Sequence, residues 1–211
     1  MVEVTKREQE YWNEVGNKNF DISTELIKDN FGKRRLLVPE LLKYDFEKTK
    51  VLELGTGLGV TAFFAGGLYP GFSYQGMDIS ETFARAANQL FGLKVTVGDA
   101  GNPLPFKDEE FNAFWAFDTL EHIHPNKRPM LFKEIDRVLK KDTRGIFILN
   151  PLSESRHDPE FDFWFDWESL VALMKATDTQ VIEVKYLHHK ERSYQFIALS
   201  KVDPHVENAC I

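Results

Sequence analysis

From residue 50 onward, short apolar runs alternate with longer amphipathic stretches. The runs are Lys50–Leu54, Ser73–Met77, Lys94–Val97, Ala113–Phe117, Gly145–Leu149, Gln180–Leu187 and Tyr194–Leu199. Their length and their bounding Gly, Asp and Asn residues predict buried strands. Between them, helical patterns fall near 60–68, 81–91, 127–139 and 167–176. Such alternation predicts βαβ units and a mostly parallel sheet with helices on both faces. Only the polar stretch His188–Ser193 separates the last two runs. That is too short for a crossover helix, so these runs are expected to pair as an antiparallel hairpin at the sheet's edge. The predicted fold class is therefore α/β: a doubly wound, seven-stranded, mostly parallel sheet with an antiparallel last strand. Residues 1–30 are polar with scattered aromatics and read as helices laid on the later core. The expected organisation is an N-terminal helical cap over 1–45, a sheet domain over 46–201 and a tail over 202–211.

Composition narrows the class. The chain has 211 residues, 43% hydrophobic and 28% charged, as expected of one globular domain. No run approaches the roughly 18 apolar residues of a membrane span, and MVEVTKREQEYW is too polar for a signal peptide. The only cysteine, Cys210, forms no intrachain disulfide, which suggests a reducing cytoplasm. A net charge of −7 argues against a nucleic-acid partner, whose affinity rests on Lys and Arg. The clusters Lys33-Arg34-Arg35 and Lys140-Lys141 read as solvated helix ends.

The most informative segment is VLELGTGLGV, residues 51–60, in which a buried strand meets glycines at 55, 57 and 59 before a helix opens. Glycine permits positive φ and close approach of the backbone to a ligand. The helix start adds free N–H groups and the positive end of a dipole. A tight strand–helix turn would use glycine for packing alone, so the loop needs support from further downstream. A dinucleotide fingerprint would place its third glycine at position 60, which is Val60. The pattern E-x-G-x-G-x-G, with Glu53 at the strand end, suits a nucleoside bearing an amino-acid tail rather than a pyrophosphate.

Two more acids close strands. Asp78 ends the second, at an offset from the glycines where nucleotide folds carry a ribose-binding acid. It would instead cap the next helix, but Ser80 followed by Glu81 is the better cap and leaves Asp78 available. Asp99 closes the third strand. It suits an adenine amine, with the Ala100 N–H for a ring nitrogen; otherwise it is a surface turn residue.

Taken together, VLELGTGLGV, MDIS, GDAGNPLPFKDEEFN, AFDTLEHI and LFKEIDRVLK are similar in order and spacing to class I S-adenosylmethionine-dependent methyltransferases. They resemble most the small-molecule group related to quinone biosynthesis. The resemblance covers about residues 45–150, and it implies a seven-stranded sheet with a reversed last strand. It also implies that Glu53, Gly55, Thr56, Gly57 and Gly59 line the methionine and ribose part of the cofactor. Asp78 would take the ribose hydroxyls, Ile79 would pack on the adenine, and Asp99 and Ala100 would read its edge. Phe117 and Asp118 would lie beside the methionine part. Two loops depart from the family pattern. Lys141-Asp142-Thr143-Arg144-Gly145 stands where Pro-Gly-Gly is common, and Thr177-Asp178-Thr179 replaces a frequent Gly-Phe.

His122 is the candidate general base, because its ordinary pKa near 6.5 suits proton abstraction; the other reading is a ring that only packs beneath the substrate. Asp118 and Glu121 have capping-box spacing, a purely structural alternative for both acids. The aromatic run Phe161–Trp167 either cages a cationic acceptor, through Phe165 and Trp167, or packs as core above a helix capped by Asp166. Tyr11 and Trp12 would form the other wall, and Arg34 or Arg35 either pairs with the methionine carboxylate or stays on a helix surface. No carboxylate set for a metal is seen. The expected activity is methyl transfer to a small molecule. The alternatives are a peptide or protein methyltransferase and a module that binds the cofactor without turnover; Val60 disfavours a nicotinamide enzyme.

Overall fold

The computed structural model describes residues 2–20, 32–143, 145–152 and 159–201. The expected tail at 202–211, with Cys210, and Arg144 lie outside the described residues. All seven apolar runs form strands: β1 (Lys50–Leu54), β2 (Ser73–Asp78), β3 (Val95–Val97), β4 (Ala113–Phe117), β5 (Gly145–Pro151), β6 (Thr179–His189) and β7 (Arg192–Lys201). The helices are α1 (Val2–Phe20), α2 (Leu37–Leu41), α3 (Val60–Leu68), α4 (Glu81–Phe91), α5 (Arg128–Val138) and α6 (Trp167–Thr177).

The strands make one sheet in the order β3-β2-β1-β4-β5-β7-β6. β7 runs antiparallel to both β5 and β6, and the other pairings are parallel. The hairpin expected from the short 188–193 gap is present, and it turns through Lys190 at φ 55°.

Side-chain alternation sorts the core into two faces. On one, Leu52, Leu54, Phe114, Ala116, Ile146 and Ile148 meet Leu131, Phe132 and Ile135 of α5 and Leu170 and Leu173 of α6. On the other, Val51, Ala113, Trp115, Phe117, Phe147 and Leu149 meet Leu37 and Leu41 of α2, Phe46 and Ala65. With both faces covered, β4 is buried at every residue, which is why it reads as a continuous apolar run.

Helix starts and stops follow local chemistry. The Ser80 hydroxyl caps α4 by accepting the Phe83 N–H at 3.3 Å, as expected for that position. Asp166 likewise caps α6, accepting the Ser169 N–H at 2.8 Å. Asp178 ends α6 at φ 49°; a short polar side chain tolerates the left-handed conformation that glycine would otherwise supply. α1 lies across the start of α4, where Ser80 donates to Asn13 Oδ1 at 2.9 Å and Gln9 donates to the Ile79 carbonyl at 3.0 Å.

Chain winding reverses between β1 and β4, and a crevice opens at the carboxyl ends of those strands. In open α/β sheets this is where ligands bind.

Candidate active site

A cavity of about 290 Å³ occupies the crevice. Its floor is the 55–59 loop, in which Gly55, Gly57 and Gly59 have φ of 66°, 54° and 75°. The reasons for glycine differ along the loop. A Cβ at Gly55 would lie 2.2 Å from Thr119 Oγ1, and one at Gly59 would lie 2.2 Å from Leu93 Cδ1. At Gly57 a Cβ would meet nothing within 4 Å, so its bare backbone faces open space. Two of the glycines thus serve packing, and the middle one leaves room for a ligand.

Asp78 joins this loop to the end of β2. Its Oδ2 accepts the Gly57 N–H at 2.8 Å and its Oδ1 accepts the Ser80 N–H at 2.9 Å. Burial pushes its pKa up to about 6, while the two amide donors pull it down. Glu53 lies behind the loop rather than on the cavity wall. The Tyr74 hydroxyl donates to it at 2.7 Å, and burial pushes its pKa up to about 7. A carboxyl whose pKa is higher folded than unfolded favours the folded state while protonated. For Glu53 that contribution is complete below 4.5 and lost as pH rises through about 7. Glu53→Gln is therefore expected to melt above the unsubstituted protein at pH 8, by about 2–4 °C for each kcal/mol relieved. The gain should vanish at pH 5; a difference that ignores pH would contradict this picture.

The third acid, Asp99, is held in place on its own side of the cavity. Its carboxylate accepts the Gly101 N–H at 2.6 Å and meets Lys127 Nζ at 3.0 Å. Lys127 also faces Glu8 of α1 at 3.8 Å, and burial raises the Glu8 pKa to about 7. Ile79 and Ala100 complete this wall.

The opposite wall comes from the loop after β4. Asp118 has φ 52° and its N–H donates to the Leu149 carbonyl at 2.8 Å. Lys33 lies 2.5 Å and Arg34 3.4 Å from its Oδ2, and these cations hold its pKa down against burial. The expected capping box does not form, because the 3-10 turn Leu120–His122 has no side-chain cap. The solvated reading of the 33–35 cluster is also corrected. Lys33 and Arg34 turn inward onto Asp118, and only Arg35 is exposed.

His122 lies on the cavity wall with Trp12, whose ring meets it edge-on at 4.8 Å. Its Nδ1 is 2.8 Å from the Phe161 carbonyl oxygen. A carbonyl only accepts, so Nδ1 carries the proton and Nε2 presents its lone pair. Burial lowers the pKa of the ring and keeps it neutral. Arg128 fixes this loop: Nε donates to the Ile123 carbonyl at 2.9 Å, Nη1 to Ser169 Oγ at 2.8 Å, and Nη2 to the Trp164 carbonyl.

The cavity wall therefore gathers Gly55, Thr56, Gly57, Gly59, Asp78, Ile79, Asp99, Ala100, Asp118, His122 and Trp12. Glu53, Phe117, Tyr11, Phe165 and Trp167 lie elsewhere. Phe117 is a core ring whose carbonyl accepts from Arg34 at 3.0 Å. Tyr11 packs on Trp12 and Phe161. Phe165 packs under Arg128 and against Phe132, and Trp167 is exposed. Wall residues given no role from the sequence include Glu8, Lys33, Thr119 and Arg192; Thr119 stands inside the AFDTLEHI motif and Lys33 in the basic cluster, while only the fold brings Glu8 and Arg192 there. Among the described residues, no three His, Cys, Asp or Glu side chains gather as a metal site, and no helix is long and apolar enough to cross a membrane.

The doubly wound sheet with its reversed strand, glycine-floored crevice and acids closing β2 and β3 is the Rossmann-like methyltransferase fold. Residues 51–142 match the family model described as a methyltransferase domain. A fatty-acid O-methyltransferase of Mycolicibacterium smegmatis is 30% identical over 122 residues, which are 56% of this chain and 42% of that protein. The chain spans less than half the length of the curated relatives it matches. Among solved structures, the PH0226 protein of Pyrococcus horikoshii superposes with a TM-score of 0.64 at 24% identity, over 80% of this chain and 90% of that one. Magnesium protoporphyrin IX methyltransferase of Synechocystis, with S-adenosylhomocysteine bound, gives 0.72 at 10% identity, over 93% and 99%. At such identities the structural likeness speaks for the fold.

Proposed function

We propose that this chain transfers a methyl group from S-adenosylmethionine to a small-molecule acceptor. The observation that carries the reading is the Gly57–Asp78 unit, a half-buried left-handed glycine with open space where a Cβ would stand, whose amide holds a buried carboxylate in the crevice. The donor set suits the cofactor. Asp78 accepts ribose hydroxyls, Asp99 and the Ala100 N–H meet the adenine edge, and Ile79 packs on its face. At the other end Asp118 pairs with the methionine ammonium. Arg34, whose buried Nη1 lies 3.4 Å from Asp118 Oδ2 without a hydrogen bond, pairs with the carboxylate. Glu53 supports this set from behind, through Tyr74 and Thr56.

When bound, the cofactor supplies a methyl group activated on a sulfonium. The chain's own work is alignment and proton handling. Holding two reactants in line provides effective molarities on the order of 10⁵–10⁸ M. His122 takes the acceptor's proton at Nε2, its ring fixed by the Phe161 carbonyl. Trp12, Val15 and Glu8 of α1 close the cavity from above and exclude water. Residues 46–201 form the transferase unit and 1–45 its cap.

A small-molecule acceptor is supported by the named relatives, which act on fatty acids and on magnesium protoporphyrin IX. The finer likeness to the quinone-biosynthesis group rests on the sequence motifs alone, and the cytoplasmic placement on the lone cysteine. The test is transfer of label from [methyl-³H]S-adenosylmethionine to a panel of hydroxylated, amine-bearing and carboxylate metabolites, with peptides alongside. Labelling of a small molecule is the expected result. Labelling of peptides alone would overturn the acceptor class, and cofactor binding with no transfer to any arm would indicate a binding module.

A further inference from the structure

The charged groups around the cavity are matched almost throughout. Lys33 and Arg34 face Asp118, Lys127 faces Asp99 and Glu8, and Asp78 is held by two backbone amides. Arg192 is the exception. It begins β7, is half-buried and lines the cavity, yet its guanidinium makes no hydrogen bond or ion pair with any of the described residues. A guanidinium held at a cavity wall without a carboxylate is an open anion site, and its planar fork suits carboxylate or phosphate.

Its place in the sheet says which molecule would use it. The cofactor-binding groups proposed above sit at the ends of β1, β2 and β3, with Asp118 and His122 after β4. β7 lies beyond β5, three strand spacings from β1. At about 4.8 Å per spacing, Arg192 starts roughly 14 Å from the glycine loop. His122 follows β4, a strand that stands between β1 and β7 in the sheet. The Lys33 ammonium sits 5.5 Å over the ring of buried Tyr194, adding positive potential at the same end.

We propose that Arg192 anchors an anionic group of the methyl acceptor, a carboxylate or phosphate set apart from the nucleophilic atom. The acceptor is then bifunctional: its anion rests on Arg192 while its reacting atom lies near His122 and the methyl donor. This rests on the methyltransferase reading and adds the charge class of the substrate.

The test uses the full chain saturated with S-adenosylhomocysteine. Benzoate, phenyl phosphate and octanoate are titrated calorimetrically, each against a neutral counterpart: benzamide, phenol and octanamide. One or more anions are expected to bind at least about tenfold tighter than the neutral partner, the equivalent of one charge-assisted hydrogen bond. Arg192→Gln should collapse the gap to within about threefold, and Arg192→Lys should restore part of it. The affinity for S-adenosylhomocysteine should stay within about twofold in both variants, since Asp118 and Arg34 already serve the cofactor's methionine end.

Equal binding of anions and neutral partners, binding of neither, or a preference that survives Arg192→Gln would overturn the proposal. A tenfold loss of S-adenosylhomocysteine affinity in Arg192→Gln would assign the residue to the cofactor's own carboxylate instead. If the unsubstituted protein fails to bind S-adenosylhomocysteine, the methyltransferase reading falls and this proposal with it. Cofactor binding without anion preference removes Arg192's role alone.

Discussion

Replacing His122 by Gln is expected to lower turnover by about 10²–10⁴-fold, the usual contribution of a positioned base, while cofactor affinity stays near normal. The expectation follows from two contacts and from burial. The Phe161 carbonyl fixes the ring's tautomer, Trp12 fixes its plane, and burial holds its pKa below 6.5. The base form therefore prevails at neutral pH. The unsubstituted protein should lose kcat/KM only as pH falls below the ordinary imidazole range, and the variant should lack that acid limb. An acceptor that carries a proton at neutral pH is needed for the comparison. Unchanged turnover with such an acceptor would return His122 to a packing role.

The second large effect belongs to Asp78. Asp78→Ala removes a carboxylate that two ribose hydroxyls would share, so cofactor affinity should fall by roughly 1.5–3 kcal/mol, about 10- to 150-fold. Protonation should act in the same direction. With a pKa near 6 in the unliganded protein, Asp78 accepts fewer hydrogen bonds below that value, so affinity should weaken as pH drops from 7 to 5. Asp78→Asn keeps the side-chain shape but leaves one oxygen to accept, so it holds only one of the Gly57 and Ser80 amides. It should bind weakly at every pH, and unchanged affinity in a folded Asn variant would remove the ribose assignment.

The frame was legible because each strand announced itself. The core strands are buried on both faces, so Ala113–Phe117 and Gly145–Leu149 read as unbroken apolar runs. Gly55, Gly57 and Gly59 marked the loop because no other residue holds three left-handed positions in sequence without strain. The two helix caps, Ser80 and Asp166, were legible from their spacing.

The cationic side of the site was not legible. Lys33 and Arg34 stand in a basic cluster that resembles any solvated helix end, and only the fold brings them onto Asp118. Asp118 and Glu121 have the spacing of a capping box. The left-handed turn at Asp118 and the pull of two cations set that arrangement aside, and neither feature has a local sequence signal. In the aromatic run, the Phe161 carbonyl rather than its ring meets His122, a contact that residue type cannot encode. Arg192 stands in no motif; only the fold brings it to the cavity wall.

The most direct measurement is isothermal titration of the unsubstituted chain with S-adenosylhomocysteine, followed by a crystal structure of the complex. The account predicts saturable one-to-one binding, with the nucleoside across the ends of β1, β2 and β3 and its ribose hydroxyls on Asp78. A folded protein that takes up no S-adenosylhomocysteine, or holds it away from the 55–59 loop, would contradict it.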